Sequence, residues 1–392
     1  MIEQVFGNKY FKLLSLIIRE RNTEEELEFI RSHEADLRSQ EFLDVATEHE
    51  LVSTICSKLE KKIDIQLGGK WEEEMNATRN RLGFLFAKVE EIGKDLATHN
   101  IPLILLKNGG IAIDIMDDLA ECPMGDIDLL CRKSDFHKAH QIILQHGFNF
   151  KFRSQFEFED LDVAFADGST EYSIQNGEET AWVELAWRPI AGRWIRKDKE
   201  PKADALVDAS HKAKRSVCHV LCNEDNLLQV CCHTAKHSYV RAPGYRLHLD
   251  VDRIVTNNEI DWDLFLRKVE EVGSKTAVYF SLYFAQEILG TKIPARVLDA
   301  LRPSKSKERK IMNMLLKANL MHPHGYKFSK IGFIRFQTSL YDSNKDLLAM
   351  IFPPKSELTG KYKNPKNVAL PFYWIMYILD MVGIRKTKKN HG

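Results

Sequence analysis

The chain has 392 residues, 44% hydrophobic and 29% charged, a balance that excludes collagen-like, low-complexity and wholly disordered proteins. At about 150 residues per domain the length predicts two or three domains. Lys+Arg and Asp+Glu are equal at 56 each, so the whole chain is not a basic nucleic-acid binder. The charge is unevenly spread: net −6 over residues 1–100, net −7 over 101–300, and net +13 over 301–392, where 18 basic residues face 5 acidic ones. A local excess of that size attracts polyanions or an anionic membrane surface, although a solvated helical surface is the commoner explanation. Seven cysteines without repeating spacing do not make a disulfide framework. The N-terminus lacks a basic n-region and a small-residue cleavage site, so it reads as mature protein in a reducing cytoplasm.

Residues 1–95 read as helical throughout. Phe11, Leu14, Ile17 and Ile18 recur at helical spacing, as do Leu82, Leu85, Phe86, Val89, Ile92 and Leu96. Thr23 before Glu24-Glu25-Glu26 resembles a helix start, with negative charge at the positive end of the helix dipole. No chemistry is visible there.

The pattern changes at Pro102. Leu103-Ile104-Leu105-Leu106 is a short apolar run between a proline and a turn, a buried-strand signal. Lys107-Asn108-Gly109-Gly110 reads as the turn, followed by a helical segment over Ile111–Met116. Asp126–Cys131 forms the second strand, and a helix from about Ser134 to Gln145 stops at Gly147. Further strands are expected around Phe156–Phe165 and over Trp182–Trp187. From about Ala205 onward the chain reads as helix again, including Leu227–His237, a helix opened by Asp261-Trp262-Asp263, and Thr276–Leu289. The division expected is 1–95 helical, 96–204 α/β, 205–392 helical, an α+β protein. Leu370–Ile384 is strongly apolar and is followed by Arg385, Lys386, Lys388 and Lys389. It falls short of the roughly 20 residues that span a bilayer, so a buried closing helix is preferred to an interfacial one in peripheral membrane contact.

Asp126 and Asp128 stand two apart on a strand, so both carboxylates project from one face. Carboxylates that close repel unless protonated or bridged by cations. Mg²⁺ takes hard oxygen ligands together with substrate phosphates, and paired ions can clamp both oxygens of a phosphoryl displacement. A glycine-rich turn between strand and helix lets backbone amides approach a phosphate. Glu184 is the best third carboxylate, because Val183 and Leu185 would face the other way; Asp162 and Glu171 compete with it. Asp-x-Asp or Gly-Gly alone is weak. The order strand, Gly-Gly, helix, Asp-x-Asp strand, later strand with an isolated Glu is stronger.

With these blocks, Leu103–Gly110, Pro123–Leu130 and Trp182–Trp187, the chain resembles nucleotidyltransferase-family proteins of the DNA polymerase β-like superfamily. The closer likeness is to their bacterial branch of uncharacterised nucleotidyltransferases, over roughly residues 80–300. The resemblance implies a minimal polymerase-β-like α/β domain flanked by helical regions. Asp126 and Asp128 would hold two Mg²⁺ ions, and Glu184 would bind the catalytic ion and favour deprotonation of the acceptor. Gly109 and Gly110, with Lys107 and Asn108, would contact the nucleoside triphosphate. The reaction implied is attack of an acceptor on the α-phosphate with loss of pyrophosphate. A small molecule or a peptide or protein side chain is preferred to a tRNA as acceptor, because the net charge is zero.

Three positions depart from the branch: Asn108 where it has glycine, Cys122 where it has arginine, and Ala186 where it has histidine. They keep open a tailoring transferase for a peptide natural product, using a nucleotide-sugar or a phosphorylated peptide. A non-catalytic nucleotide-binding module is the third reading, and the retention of all three carboxylates weighs against it. His233, His237 and Asp250 are candidates for the substrate cleft; His233 and His237 share a helix face, although core or surface histidines are commoner. Zinc is rejected at Cys218, Cys222, Cys231, Cys232 and His233 because the spacing fits no structural site. Trp182 and Trp187 are expected to pack.

Overall fold

The computed structural model describes residues 9–153, 160–162, 165, 168–189, 194–237, 244–318, 328–353, 355, 358 and 370–381. The N-terminal region is helical, as its periodicity dictates: α1 Lys9–Ile18, α2 Glu24–Ser32, α3 Glu34–Leu37, α4 Gln40–Glu48, α5 Val52–Ile63 and α6 Lys70–Thr98. Thr23 caps α2 through a capping box in which its hydroxyl accepts from the Glu26 N–H and the Glu26 side chain accepts from the Thr23 N–H.

The middle of the chain builds the sheet. Strand β1 is only Ile104–Leu105, and α7 Lys107–Asp114 follows at once. The expected Lys107–Gly110 turn is therefore already the first turn of a helix. Then come β2 Asp126–Leu130, α8 Phe136–Gln145, β3 Asn149–Phe150, β4 Ser169–Asn176 and β5 Glu179–Ala186. Beyond residue 204, after α9 Ala203–Ala209 opens the segment expected to be helical, two further strands appear, β6 His211–Lys212 and β7 His219–Val220. The sheet order is β3-β4-β5-β2-β1-β7-β6. β2 pairs in parallel with β5 and β1 with β7, whereas the other neighbours are antiparallel. Most of the strand expected over Phe156–Phe165 lies outside the described residues; Leu161, Asp162 and Phe165 within it are helical.

The C-terminal helices are α10 Asn223–His237, α11 Gly244–Asn257, α12 Trp262–Val272, α13 Lys275–Leu289, α14 Ala295–Leu301, α15 Lys305–Lys317, α16 Lys330–Ser339, α17 Asn344–Ile351 and α18 Leu370–Met381. Asp261 caps α12 by accepting from the Asp263 and Leu264 amides. One continuous apolar core runs from Tyr10 in α1 to Tyr341 beside α17, so the three segments share an interior. At one seam the Tyr245 hydroxyl of α11 donates to the Phe11 carbonyl at 3.3 Å. The last helix departs from the buried closing helix expected of it. In α18 Tyr373 is buried, while Phe372 and Ile375 are 56% and 55% exposed; residues 382–384 lie outside the described residues.

Close approach of α7 to the sheet requires its glycines. A Cβ on Gly110 would lie 2.9 Å from the Leu105 carbonyl oxygen, and one on Gly109 would lie 3.3 Å from Ile127. A backbone atom cannot yield as a side-chain tip can. Gly110→Ala is expected to destabilise the protein by about 1–3 kcal/mol, the usual cost of overpacking a closed interior. Chemical unfolding checks this, and an unchanged midpoint would contradict it.

Candidate active site

Alternation along β2 and the parallel register of β5 bring the acidic residues together. Asp128 and Glu184 are direct partners across the two strands, and Asp126, two residues before Asp128, shares their face. Carboxylate oxygens of Asp126, Asp128 and Glu184 lie within 4.8 Å of one another, all three side chains being half-buried. Among the described residues this is the group of His, Cys, Asp or Glu that could hold a metal ion. At an effective dielectric of about 20, two carboxylates about 5 Å apart repel by roughly 3 kcal/mol. Two monovalent cations offset that repulsion here. Lys107 donates to Asp128 Oδ1 at 2.7 Å, and Arg153 is paired with Asp126 and, at 3.0 Å, with Glu171.

The competing third carboxylates are placed by the same geometry. Glu171 faces Glu184 across β4 and β5 but is taken by Arg153, whose backbone N–H also donates to it at 2.7 Å. Asp162 is exposed and outside the carboxylate group. Burial pushes the Asp128 carboxyl up to about 6, with Lys107 opposing and Asp126 and Glu184 reinforcing the shift. Burial also works against the Lys107 ammonium, but Asp128, Glu184 and Asp126 outweigh it and raise its pKa above the ordinary lysine value.

Lys107 adopts φ +52°, a left-handed conformation that is strained for a residue with a Cβ. Gln229 of α10 helps to fix it. Its buried amide accepts from the Lys107 N–H at 3.4 Å and donates to the Pro189 carbonyl at 2.9 Å, tying the start of α7 to the exit of β5. One helical turn beyond Gln229 on α10 stands His233, and one turn further His237, their rings 4.8 Å apart. Burial holds His233 well below the ordinary imidazole range, and the charges of Lys107, His237, Arg246 and Lys236 add to the shift. His233 therefore lies within electrostatic reach of the Lys107 ammonium.

Asp250 is a correction. It is 1% exposed, bound by Arg246 at 3.1 Å and near Arg253 at 3.7 Å, while Arg246 also reaches Glu50 at 2.5 Å. Burial pushes its carboxyl up to about 6 against the pull of both arginines. It is therefore a buried charge partner rather than a cleft residue. Its signal was in the sequence, as arginines at i−4 and i+3 on one helix face.

The glycines and Asn108 also take different work from that expected. The Gly110 N–H donates within α7 to the Leu106 carbonyl at 3.3 Å, and both glycines are buried against the sheet. Their contacts are therefore with the sheet. Asn108 donates to the Pro123 carbonyl at 3.3 Å, holding the loop that delivers Asp126. Helices α5 and α6 hold the same loop: Arg81 donates to the Met124 carbonyl at 2.6 Å, and Thr54 donates to the Glu121 carbonyl at 3.3 Å. Cys122 within it is fully buried and accepts from Arg253 at 3.4 Å. The N-terminal helices thereby position the Asp-x-Asp strand. The seven cysteines are free, none belongs to a metal-type cluster among the described residues, and Trp187 packs on Phe136 at 4.2 Å as expected. Trp182 lies instead beneath the Arg153 guanidinium at 5.7 Å. Arg153 and Gln229 were not anticipated from the sequence.

Residues 35–290, more than half of the chain, match the family model described as uncharacterised nucleotidyltransferase. No curated protein and no solved structure matches the chain.

Proposed function

We propose, from the premise that the chain belongs to the uncharacterised nucleotidyltransferase family, that it moves a nucleoside monophosphate from a nucleoside triphosphate to a small-molecule or peptide acceptor. The observation that carries this reading is the face shared by Asp126, Asp128 and Glu184, with their oxygens within 4.8 Å and the Lys107 ammonium against them. The donor set is all hard carboxylate oxygen, which suits Mg²⁺. Divalent ions held by these residues would supply charge neutralisation and polarise the α-phosphate.

The chain's own groups account for the rest. The acceptor oxygen forms a bond to the α-phosphorus as the bond to the bridging oxygen breaks, and pyrophosphate leaves. Glu184, which has no cation partner of its own among the described residues, favours loss of the acceptor's proton. Lys107 is poised to exchange Asp128 for a phosphate oxygen, since its stem is fixed at the start of α7 and the surrounding carboxylates secure its charge against the effect of burial. His233, held neutral, adds a hydrogen-bonding group beside it without further charge.

Lys107→Met is expected to raise the KM for the triphosphate about 10–100-fold, the weight of one charge-assisted hydrogen bond, with a smaller change in kcat. Steady-state kinetics separates the two parameters, and an unchanged KM would remove Lys107 from the phosphate site. The reaction class is tested with triphosphates labelled at the α- or the γ-phosphorus, and separately with a nucleotide-sugar labelled in the sugar, each incubated with Mg²⁺ and an extract of the cells that encode the protein. Transfer of the α label to an acceptor supports the reading. Transfer of the γ label alone would make it a phosphoryl transferase, and transfer from a nucleotide-sugar alone would favour peptide tailoring.

A further inference from the structure

We propose that the C-terminal helical region is a docking surface for an anionic lipid bilayer, on which the protein lies without crossing it. Two independent observations meet there. Of the seven large hydrophobic side chains exposed among the described residues, six lie between residues 331 and 375. They fall in pairs on single helix faces: Ile331 and Ile334 on α16, Leu348 and Phe352 at the end of α17, Phe372 and Ile375 on α18. Phe352 meets Trp374 edge-on at 5.2 Å, and the Trp374 indole donates to the Pro353 carbonyl at 2.9 Å, so the faces of α17 and α18 join.

The second observation is charge. Residues 301–392 carry net +13, and the two acidic side chains described between residues 328 and 381 are turned to internal use. Asp342 accepts from the Lys275 and Thr276 amides at 2.7 and 2.8 Å. Asp346 is buried and bound by Lys199 at 3.3 Å and Arg196 at 3.5 Å. What the described side chains of this region offer outward is therefore apolar and basic together, as Arg335, Lys345 and Lys355 are exposed. That combination is the chemistry of an interfacial membrane contact.

A second copy of the chain fits poorly, because a two-fold contact would set one cationic face against another. A nucleic acid fits less well, since four of the six exposed side chains, Ile331, Ile334, Leu348 and Ile375, are aliphatic and give bases nothing to stack on. Helix α18 has 12 residues, a length of about 18 Å against a hydrocarbon core of about 30 Å. No helix among the described residues is long and apolar enough to cross a membrane. The surface lies past residue 290, where the family match ends, and the inference does not rest on the proposed reaction.

The test is flotation of the full chain with vesicles of phosphatidylcholine alone or with a third of phosphatidylglycerol. Binding to the anionic vesicles, weakened by salt and reduced at least about tenfold in Phe372→Glu/Ile375→Glu, is the expected result. Lys345→Glu/Lys355→Glu provides a second variant that leaves the apolar packing alone and should weaken the same binding. Thermal unfolding of each variant should match the parent. Failure of the wild-type chain to float with anionic vesicles would overturn the proposal, as would flotation indifferent to both variants. A dimer seen by light scattering that the apolar variant dissociates, with no vesicle binding, would assign the face to a second copy instead.

Discussion

Asp128→Asn is expected to reduce nucleotidyl transfer by about 10³-fold or more and, in the metal-free protein, to raise thermal stability above about pH 6. The first effect follows because Asp128 pairs directly with Glu184 across the two strands and shares the face of Asp126. Several kcal/mol of transition-state stabilisation depend on a charge held there, and each 1.4 kcal/mol is tenfold in rate. The second effect has the opposite sign for a physical reason. Burial, reinforced by Asp126 and Glu184, pushes the Asp128 carboxyl up to about 6. A carboxyl whose folded pKa exceeds its unfolded value binds more protons in the native state between the two. Its contribution to stability is present below about pH 4 and lost as the pH rises through about 6. An asparagine has no charge to lose, and Lys107 keeps Asp126 and Glu184 as counter-charges. Unfolding midpoints in EDTA across this range, beside initial rates in Mg²⁺, measure both effects. Parallel pH profiles for the two proteins, or a variant that keeps its activity, would contradict the assignment.

Glu184→Gln is expected to lower kcat by about 10²–10⁴-fold, the range for removing a group that assists proton transfer, with little change in the KM for the triphosphate. The substitution keeps shape and one acceptor oxygen but removes the charge. Because the partners Lys107 and Arg153 belong to Asp128 and Asp126, losing the Glu184 charge leaves both ion pairs standing. Asp126 and Asp128 would still hold the donor. Rates that rise toward the parent's at higher pH would support a role in acceptor deprotonation, since a more ionised acceptor needs less help. A loss confined to KM would place Glu184 in donor binding instead.

The site was legible in the sequence where a short-range pattern carried it. Strand alternation placed Asp126 and Asp128 on one face, and the apolar neighbours of Glu184 set its direction correctly. Caps announced themselves too, at Thr23 and Asp261. What was not legible depends on pairing at long range. Arg153 reaches Asp126 across 27 residues and Gln229 reaches Lys107 across 122, and no local periodicity encodes either. Strands β6 and β7 are two residues each, His211–Lys212 and His219–Val220, too short to show a period. They exist because β1 offers a free edge. β4 reads Ser-Thr-Glu-Tyr-Ser-Ile-Gln-Asn, too polar to be read as a strand without β5 beside it. Gly109 and Gly110 after a strand suggest a phosphate contact, whereas the demand on them comes from the Leu105 carbonyl and Ile127. Asp250 looked like a cleft residue because its compensating arginines lie on its own helix. Leu370–Ile384 looked like core because apolar composition alone does not tell a packed face from an exposed one.

The central claim is that Asp126, Asp128 and Glu184 bind a nucleoside triphosphate through divalent cations. Its most direct test is calorimetric binding of the non-hydrolysable α,β-methylene analogues of the four triphosphates, with Mg²⁺ or with EDTA, to the parent protein and to Asp128→Asn. Binding of at least one analogue that requires Mg²⁺ and disappears in the variant is the predicted result. Binding of equal strength in EDTA, or unchanged in Asp128→Asn, would show that the carboxylates are not the metal site.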